Sequence, residues 1–242
     1  MSRKHRLTIL FVFILLAFST GLFSALEVEV EVISCNGEVS YRLAEQSAWE
    51  FLKVGDRLRI GTEIRTEESS GAELNLGNVF VKLDPGTHLV IKKLERSENM
   101  LRIELNLASG AIWSKVAKIL GNLVFYEVIT PTAVAGVEGT LFGTSYRSEY
   151  TEILVAEGLV KVRDNFGREI LMSAKEKVKV TVEGIFRLRF GEEDQEAVEQ
   201  MRRWGLGKEK NQNYSPEEGT AANEAKSEKG QQKMVPGKGD SK

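Results

Sequence analysis

The sequence predicts an all-β protein: many short strands in a β-roll, solenoid-like or sandwich arrangement, followed by one C-terminal amphipathic helix. Three observations carry this. Apolar residues recur with period two: Val28, Val30 and Val32 alternate with Glu29 and Glu31, Leu74 and Leu76 flank Asn75, and Leu101, Ile103, Leu105 and Leu107 alternate with Arg102, Glu104 and Asn106. Val178, Val180 and Val182 do the same with Lys179, Thr181 and Glu183. Strict alternation marks strands with one face wet. Turn formers punctuate these runs at Asn36-Gly37, Gly55-Asp56, Ser70-Gly71, Gly77-Asn78, Asp84-Pro85-Gly86, Ser109-Gly110, Glu157-Gly158 and Asn165-Phe166-Gly167. Between Cys35 and Gly191 no helical period competes with them.

The chain has 242 residues, 42% of them hydrophobic and 28% charged, which suits one large globular unit with its own core. Lys and Arg total 33 against 35 Asp and Glu, so the basic excess that phosphate backbones attract is missing and nucleic acid is not an expected partner. The single cysteine allows no intrachain disulfide.

Residues 1–25 read as an export signal. Arg3, Lys4 and Arg6 precede the apolar run Leu7–Leu16, and the small residues Ser19, Thr20, Gly21, Ser24 and Ala25 follow it. Left uncleaved, Leu7–Phe23 is just long enough to anchor the chain in a membrane, the one membrane contact expected. Either outcome places the following residues outside the cytoplasm, in the periplasm or secreted. Cys35 lacks the small-residue run that lipid attachment needs, and reads as a plain strand cysteine.

Residues 26–191 form the predicted β domain. Its densest stretch is Val124–Tyr146, where Val124, Phe125, Tyr126, Val128 and Ile129 suit a half-buried strand. Pro131 ends that strand, having no N–H for a ladder. Thr132–Val137 reads as a short apolar strand, and Gly136, Gly139 and Gly143 mark bends, bulges or close approaches. Alternation places Glu138 on one face with Thr140 and Phe142, at the core margin, unless a bulge at Gly139 turns it out to a sheet rim, where Arg147 or Lys118 would pair with it. The bulged arrangement is the expectation. The segments LNLGNVFVKL (74–83) and ILVAEGLVKV (153–162) look like two similar hairpins in a stack.

At Glu192 the pattern changes. Acids lead, Arg202 and Arg203 close, and Ala197, Val198, Met201 and Trp204 share one face, so residues 192–206 read as a helix packed on the β domain and stopped by Gly205 or Gly207. Residues 207–242 are too polar to bury much surface and read as a disordered tail.

No enzyme constellation emerges. His88 is a lone surface histidine, no G-x-S-x-G frame surrounds Ser69 or Ser70, and the glycines of 136–143 lack the Lys-Ser/Thr ending of a phosphate loop. The sequence calls for no catalytic residue, metal or cofactor. A carboxylate-based glycan hydrolase, or another enzyme of unfamiliar type, stays open as an alternative, as does a small-ligand receptor.

The segment TPTAVAGVEGTLF (130–142) closely resembles the signature of the FecR domain, an extracytoplasmic all-β signalling module. The likeness extends from about Val32 to about Val182 and takes in Leu52–Thr66, Gly110–Val116 and Val155–Val162. The family usually has Arg where this chain has Glu138, and often an acid where it has Leu141. The resemblance implies a non-catalytic module that binds another envelope protein or a surface polymer through a sheet edge or the glycine-rich segment. The residues it singles out are Thr130, Pro131, Ala133, Gly136, Glu138, Gly139, Thr140 and Phe142. FecR-type regulators carry a cytoplasmic helical region that meets a sigma factor. Here only Met1–Arg6 precede the apolar run, so that region is not expected.

Overall fold

The computed structural model describes residues 29–44, 46, 48–118 and 123–212, with backbone alone for 209–212. The predicted export signal and residues 213–242 of the predicted tail lie outside this range. The alternating runs form strands as expected. The first group is β1 (Val30–Asn36), β2 (Val39–Arg42), β3 (Glu50–Phe51), β4 (Arg57–Leu58), β5 (Glu63–Thr66), β6 (Gly71–Asn75), β7 (Val79–Leu83) and β8 (His88–Ser97). A long strand, β9 (Met100–Val116), follows. The second group is β10 (Leu123–Ile129), β11 (Ala133–Val137), β12 (Leu141–Arg147), β13 (Tyr150–Glu157), β14 (Leu159–Asp164), β15 (Glu169–Ser173), β16 (Lys177–Val180) and β17 (Ile185–Leu188). One helix, α1 (Glu192–Gln212), comes last among the described residues.

The strands make two packed layers. Layer A runs β4-β1-β6-β7-β9-β12-β13-β16-β17. Layer B runs β3-β2-β5-β8-β9-β10-β11-β14-β15. The β9–β10 ladder is parallel and the others are antiparallel. From β10 onward the chain spends two strands in one layer and then two in the other, a roll-like path. Both inner faces share one core: Leu74, Val81, Ile112, Phe142, Ile153 and Val178 from layer A meet Ile64, Leu89, Ile103, Leu105, Val128 and Val160 from layer B.

Strand β9 belongs to both layers. Met100–Ser109 pairs with β8 and β10, and Gly110–Val116 pairs with β7 and β12. Its buried positions are Leu101, Ile103, Leu105 and Leu107 before the bend, then Gly110, Ile112, Ser114 and Val116. The inward parity therefore shifts from odd to even. A shift of one residue needs a bulge, and it lies where the register jumps from Leu89↔Leu107 to His88↔Ser109. Gly110 sits at the bend with φ +91°, and a Cβ there would lie 2.4 Å from the Thr87 Cα. Ser109-Gly110 is thus a bend within one strand, not the turn its composition suggests.

The supposed pair of hairpins also divides. The β6–β7 hairpin stays within layer A, whereas β13 and β14 do not pair and Glu157-Gly158 carries the chain from layer A to layer B. Val155 and Ala156 are both buried because Val155 faces the main core and Ala156 faces the opposite side of layer A. Val182, expected inside, lies in the β16–β17 turn and is 69% exposed.

Helix α1 covers the centre of layer A's outer face. Val198 and Met201 bury themselves against Leu141 and Ala156, with Trp113, Leu154, Phe190 and Trp204 packed around them. Each fully buried side chain of this size contributes about 1.5–3 kcal/mol relative to exposure. Asp194 accepts a hydrogen bond from the Gly191 N–H at 2.9 Å, which caps the first turn, and pairs with Lys177 on β16 at 3.0 Å. The predicted stop at Gly205 or Gly207 is corrected, since the helix continues to Gln212. Gly205 is a contact residue and not a cap: a Cβ there would come within 3.3 Å of Leu141. The Trp204 Nε1–H donates to Glu73 at 2.9 Å, and Lys208 reaches the same carboxylate.

Candidate functional site

The signature segment begins with a turn locked from inside. β10 and β11 are antiparallel neighbours joined through Thr130-Pro131-Thr132. The Thr130 N–H donates to the Ala133 carbonyl at 2.8 Å, and the Ala133 N–H donates in return to the Thr130 hydroxyl at 2.9 Å. The side chain thus takes a bond that the Thr130 carbonyl would otherwise accept. Thr130 and Thr132 are buried, and their hydroxyls lie 2.6 and 2.7 Å from that of Thr151 on β13, in the other layer. Pro131 is exposed, and its carbonyl accepts from the Asn165 side chain at 2.8 Å. Asn165 follows Asp164, whose carboxylate holds the β14–β15 turn through the N–H groups of Phe166 and Arg168 and the Arg168 guanidinium. Burial alone would raise the Asp164 carboxyl; those hydrogen bonds outweigh it and hold the group below the usual carboxylate range.

The glycines of the signature do different things. Gly139, with φ +63°, lies in the crossing from layer B to layer A between Val137 and Leu141. It is met from behind by Gly158 of the return crossing, where a Cβ would lie 2.7 Å from the Gly139 carbonyl oxygen. Gly143 faces α1, and a Cβ there would touch Met201 Sδ at 3.5 Å. Gly136 lies on the outer face of layer B, where its nearest neighbour would be the Glu127 side chain at 3.8 Å. Ala133 points into the core, as does Phe142, whose ring packs edge-on against Tyr126 at 6.1 Å. Tyr126 in turn lies 2.7 Å from the Ser114 hydroxyl, and burial pushes its phenol above the ordinary range.

Two expectations are corrected here. The expected bulge at Gly139 within one strand is instead a crossing between two, because β11 ends at Val137 and β12 starts at Leu141. Glu138 is exposed in the crossing, and among the described residues it forms no ion pair with Arg147 or Lys118. The register irregularity lies instead between Leu141 and Phe142, in the ladder with β13. Thr140 is buried and its hydroxyl finds no partner among the described residues.

His88, read as alone, belongs to a group on the outer face of layer B. Glu63 lies 3.2 Å from the His88 Nε2 and takes two bonds from Arg42 at 2.9 Å. Burial works to raise the Glu63 carboxyl, and its bonds to Arg42 and His88 outweigh that and lower it. Arg42 and Arg65 both lie over the Trp49 ring. Among the described residues no group of three or more His, Cys, Asp or Glu is placed to hold a metal ion. A groove lined by Glu68, Ser69, Pro85, Ser109, Tyr146 and Arg147 at one end of the sandwich is broad and open to solvent.

The two outer faces contrast. The centre of layer A, at β12 and β13, lies under α1, with Phe186 on β17 left 46% exposed, while no described element covers layer B. There Phe125 on β10, Leu159 on β14 and Leu171 on β15 are 44%, 52% and 56% exposed, with Ile129 and Val134 half-buried among them. Sequence reasoning overlooked these residues, although the signal was present: each is apolar at the outward position of an alternating strand.

Residues 62–161 match the family described as FecR protein. That stretch is similar to a FecR domain. The match is shorter than the resemblance read from the sequence. It takes in β5 through β13 whole, whereas β1 and β4, and β16 and β17, which border layer A, come from residues outside it. Two crystal structures of a candidate anti-sigma factor from Parabacteroides distasonis ATCC 8503 are similar, each at 20% identity and a TM-score of 0.44, over 52% of this chain and 59% of that one. No curated protein matches the sequence. No helix among the described residues is long and apolar enough to cross a membrane.

Proposed function

We propose that this FecR-like chain is a non-catalytic extracytoplasmic signalling module that binds a macromolecule of the cell envelope, protein or polymer, through the outer face of layer B. The contrast between the two faces carries this reading. The chain uses its own helix to cover the centre of layer A, leaving Phe186 exposed at that layer's edge, whereas layer B has Phe125, Leu159 and Leu171 open together on neighbouring strands. Clustered exposed apolar side chains on an ordered sheet mark interaction surfaces. Strand β11, with Gly136 on its outward side, runs between β10 and β14, which carry Phe125 and Leu159.

The export signal supports the location, with a mature chain starting between Thr20 and Leu26. The test is capture from envelope extracts by the exported chain, with Phe125→Glu and Leu159→Glu variants beside it, and a melting screen against glycans and small molecules. Capture that both variants lose supports the reading. Capture that neither variant changes overturns it, and a melting shift with a small molecule but no captured macromolecule favours a receptor or an enzyme.

A further inference from the structure

The open groove at one end of the sandwich has the chemistry of a ligand site, and we propose that it binds a neutral saccharide chain lying across the opening. It stands apart from the outer face of layer B, at the far end of β9 from Arg102, the ladder neighbour of Phe125.

The chain path puts it there. β9 leaves layer B for layer A at Ser109-Gly110, and the β5–β6 and β7–β8 turns cross between the same layers beside it. The β12–β13 hairpin adds Tyr146, Arg147 and Ser148 to the lining. The groove holds about 710 Å³, within the roughly 300–1,000 Å³ of ligand clefts.

Its floor is held from below. Thr66 and Thr87, both buried, each place a hydroxyl 2.7 Å from the Asp84 carbonyl oxygen, and the Thr66 hydroxyl accepts from the Thr87 N–H at 2.9 Å. The Ala111 N–H donates to the Thr87 hydroxyl at 3.1 Å, which ties the floor to the bend in β9. Gly86 leaves bare backbone on this floor, with open space where a Cβ would stand. A ligand therefore meets a surface already in place.

The rim is strained. Among the described residues the non-glycine positions with left-handed φ are Ser69, Ser148, Glu149 and Lys175. Ser69, at +60°, and Ser148, at +52°, line the groove, and Glu149 adjoins it. A two-residue hairpin turn needs positive φ at both positions, which Asn-Gly supplies at low strain. This chain has Ser148-Glu149 instead and keeps two side chains at the rim. Backbone strain of this kind collects at ligand clamps.

The mixture of groups in the lining selects the ligand. The Arg147 guanidinium, the Glu68 carboxylate and the hydroxyls of Tyr146, Ser69, Ser109 and Ser148 make no side-chain hydrogen bond or ion pair among the described residues. Arg147 reaches Asp84 only as a longer-range charge. An anion would face Glu68 and the adjoining Asp84, and a cation would face Arg147. A greasy peptide would find none of the exposed large apolar side chains in this lining. A sugar unit has neighbouring hydroxyls that donate to a carboxylate and accept from a guanidinium, and an apolar face that rests on an aromatic ring such as Tyr146. An open groove lets a chain of such units run on past both sides.

The test is isothermal titration calorimetry of the exported chain with cellohexaose, maltohexaose and chitohexaose, each to about 10 mM. At least one is expected to bind with a Kd of about 1 mM or tighter. Arg147→Ala and Glu68→Gln should each weaken that binding roughly tenfold, the loss of one charged hydrogen bond. Both residues are exposed, and melting curves check that the variants are folded. Phe125→Glu should leave the affinity unchanged, so this site and the reading of layer B stand or fall separately. Failure of all three hexaoses to bind overturns the proposal, as does binding that Arg147→Ala and Glu68→Gln both leave intact. Binding of the anionic hexagalacturonate alone, lost in Arg147→Ala and strengthened in Glu68→Gln, overturns it in favour of an anion site.

Discussion

Gly158 and Gly139 meet where two layer crossings touch, with the position of a Gly158 Cβ only 2.7 Å from the Gly139 carbonyl oxygen. Each has a positive φ, +82° and +63°, so neither crossing tolerates a side chain on backbone grounds. Gly158→Ala is expected to cost about 2–4 kcal/mol, from left-handed strain and overpacking together. Gly139→Val is expected to cost about 1–3 kcal/mol, chiefly backbone strain, since the nearest obstacle is the flexible Lys118 side chain. Gly136→Ala should stay within about 0.5 kcal/mol. Urea denaturation of the three variants checks this ranking, and equal effects at all three would refute it.

Thr151 accepts or donates at both threonines of the signature turn. Thr151→Val keeps the shape but removes the hydroxyl contact that Thr132 makes. A buried hydroxyl left unsatisfied costs about 1–3 kcal/mol, so a loss in that range is expected. Thr151→Ser, which keeps the hydroxyl, should recover most of it; a serine variant as unstable as the valine would refute the hydroxyl's role.

Asp164 sets part of the acid sensitivity. Its folded carboxyl lies below the ordinary range, so the unfolded chain takes up that proton first as pH falls. The stability it contributes is complete above the usual carboxylate range near pH 4 and disappears as pH drops through the lower folded value. Asp164→Asn should therefore flatten the fall in melting temperature below about pH 4. Glu176 and Glu63 are held low as well, so the slope should lessen and not vanish. An unchanged acid limb would exclude Asp164 from it.

The end of the folded unit lies beyond Gly207. Removing residues 213–242 should leave the melting temperature within about a degree, because that segment has little apolar surface to bury. Ending the chain at Arg203 removes Trp204 and its bond to Glu73, and a drop of about 5 °C or more is expected. Scanning calorimetry of the two truncations distinguishes them, and equal melting would show that the last turns of α1 add nothing.

Much of the fold was legible because alternation reports which side of a strand is buried. Leu101–Leu107 and Val178–Val180 have the faces their patterns predict. Alternation does not say which strands pair, so the parallel β9–β10 ladder and the two layers were hidden in it. Glycine misled the reading where one residue type serves several purposes. Ser109-Gly110 is a bend inside a strand, Glu157-Gly158 is a layer crossing, and Gly205 is where a helix meets a leucine. The signature was legible as a motif, but the roles of its residues were not. Thr130 and Thr132 depend on Thr151, whose closeness no local pattern reveals. Glu138 was expected outside, on a bulge with an ion-pair partner; it is exposed, but in a crossing between strands where no described cation pairs with it.

Strand β9 has one further consequence. Because a single strand supplies hydrogen-bond partners to both layers, the halves before and after it have no separate existence as folding units. Cutting the chain beside β9 would leave one half without the template that its own sheets need on either side. The parallel β9–β10 pairing must also wait for the chain to return past the whole length of β9, so it belongs to the slow, non-local steps of folding. In a lineage of such proteins, strands can be gained or lost at β4, β3, β15 and β17, where the layers end, whereas any insertion that breaks β9 would uncouple the two layers at once.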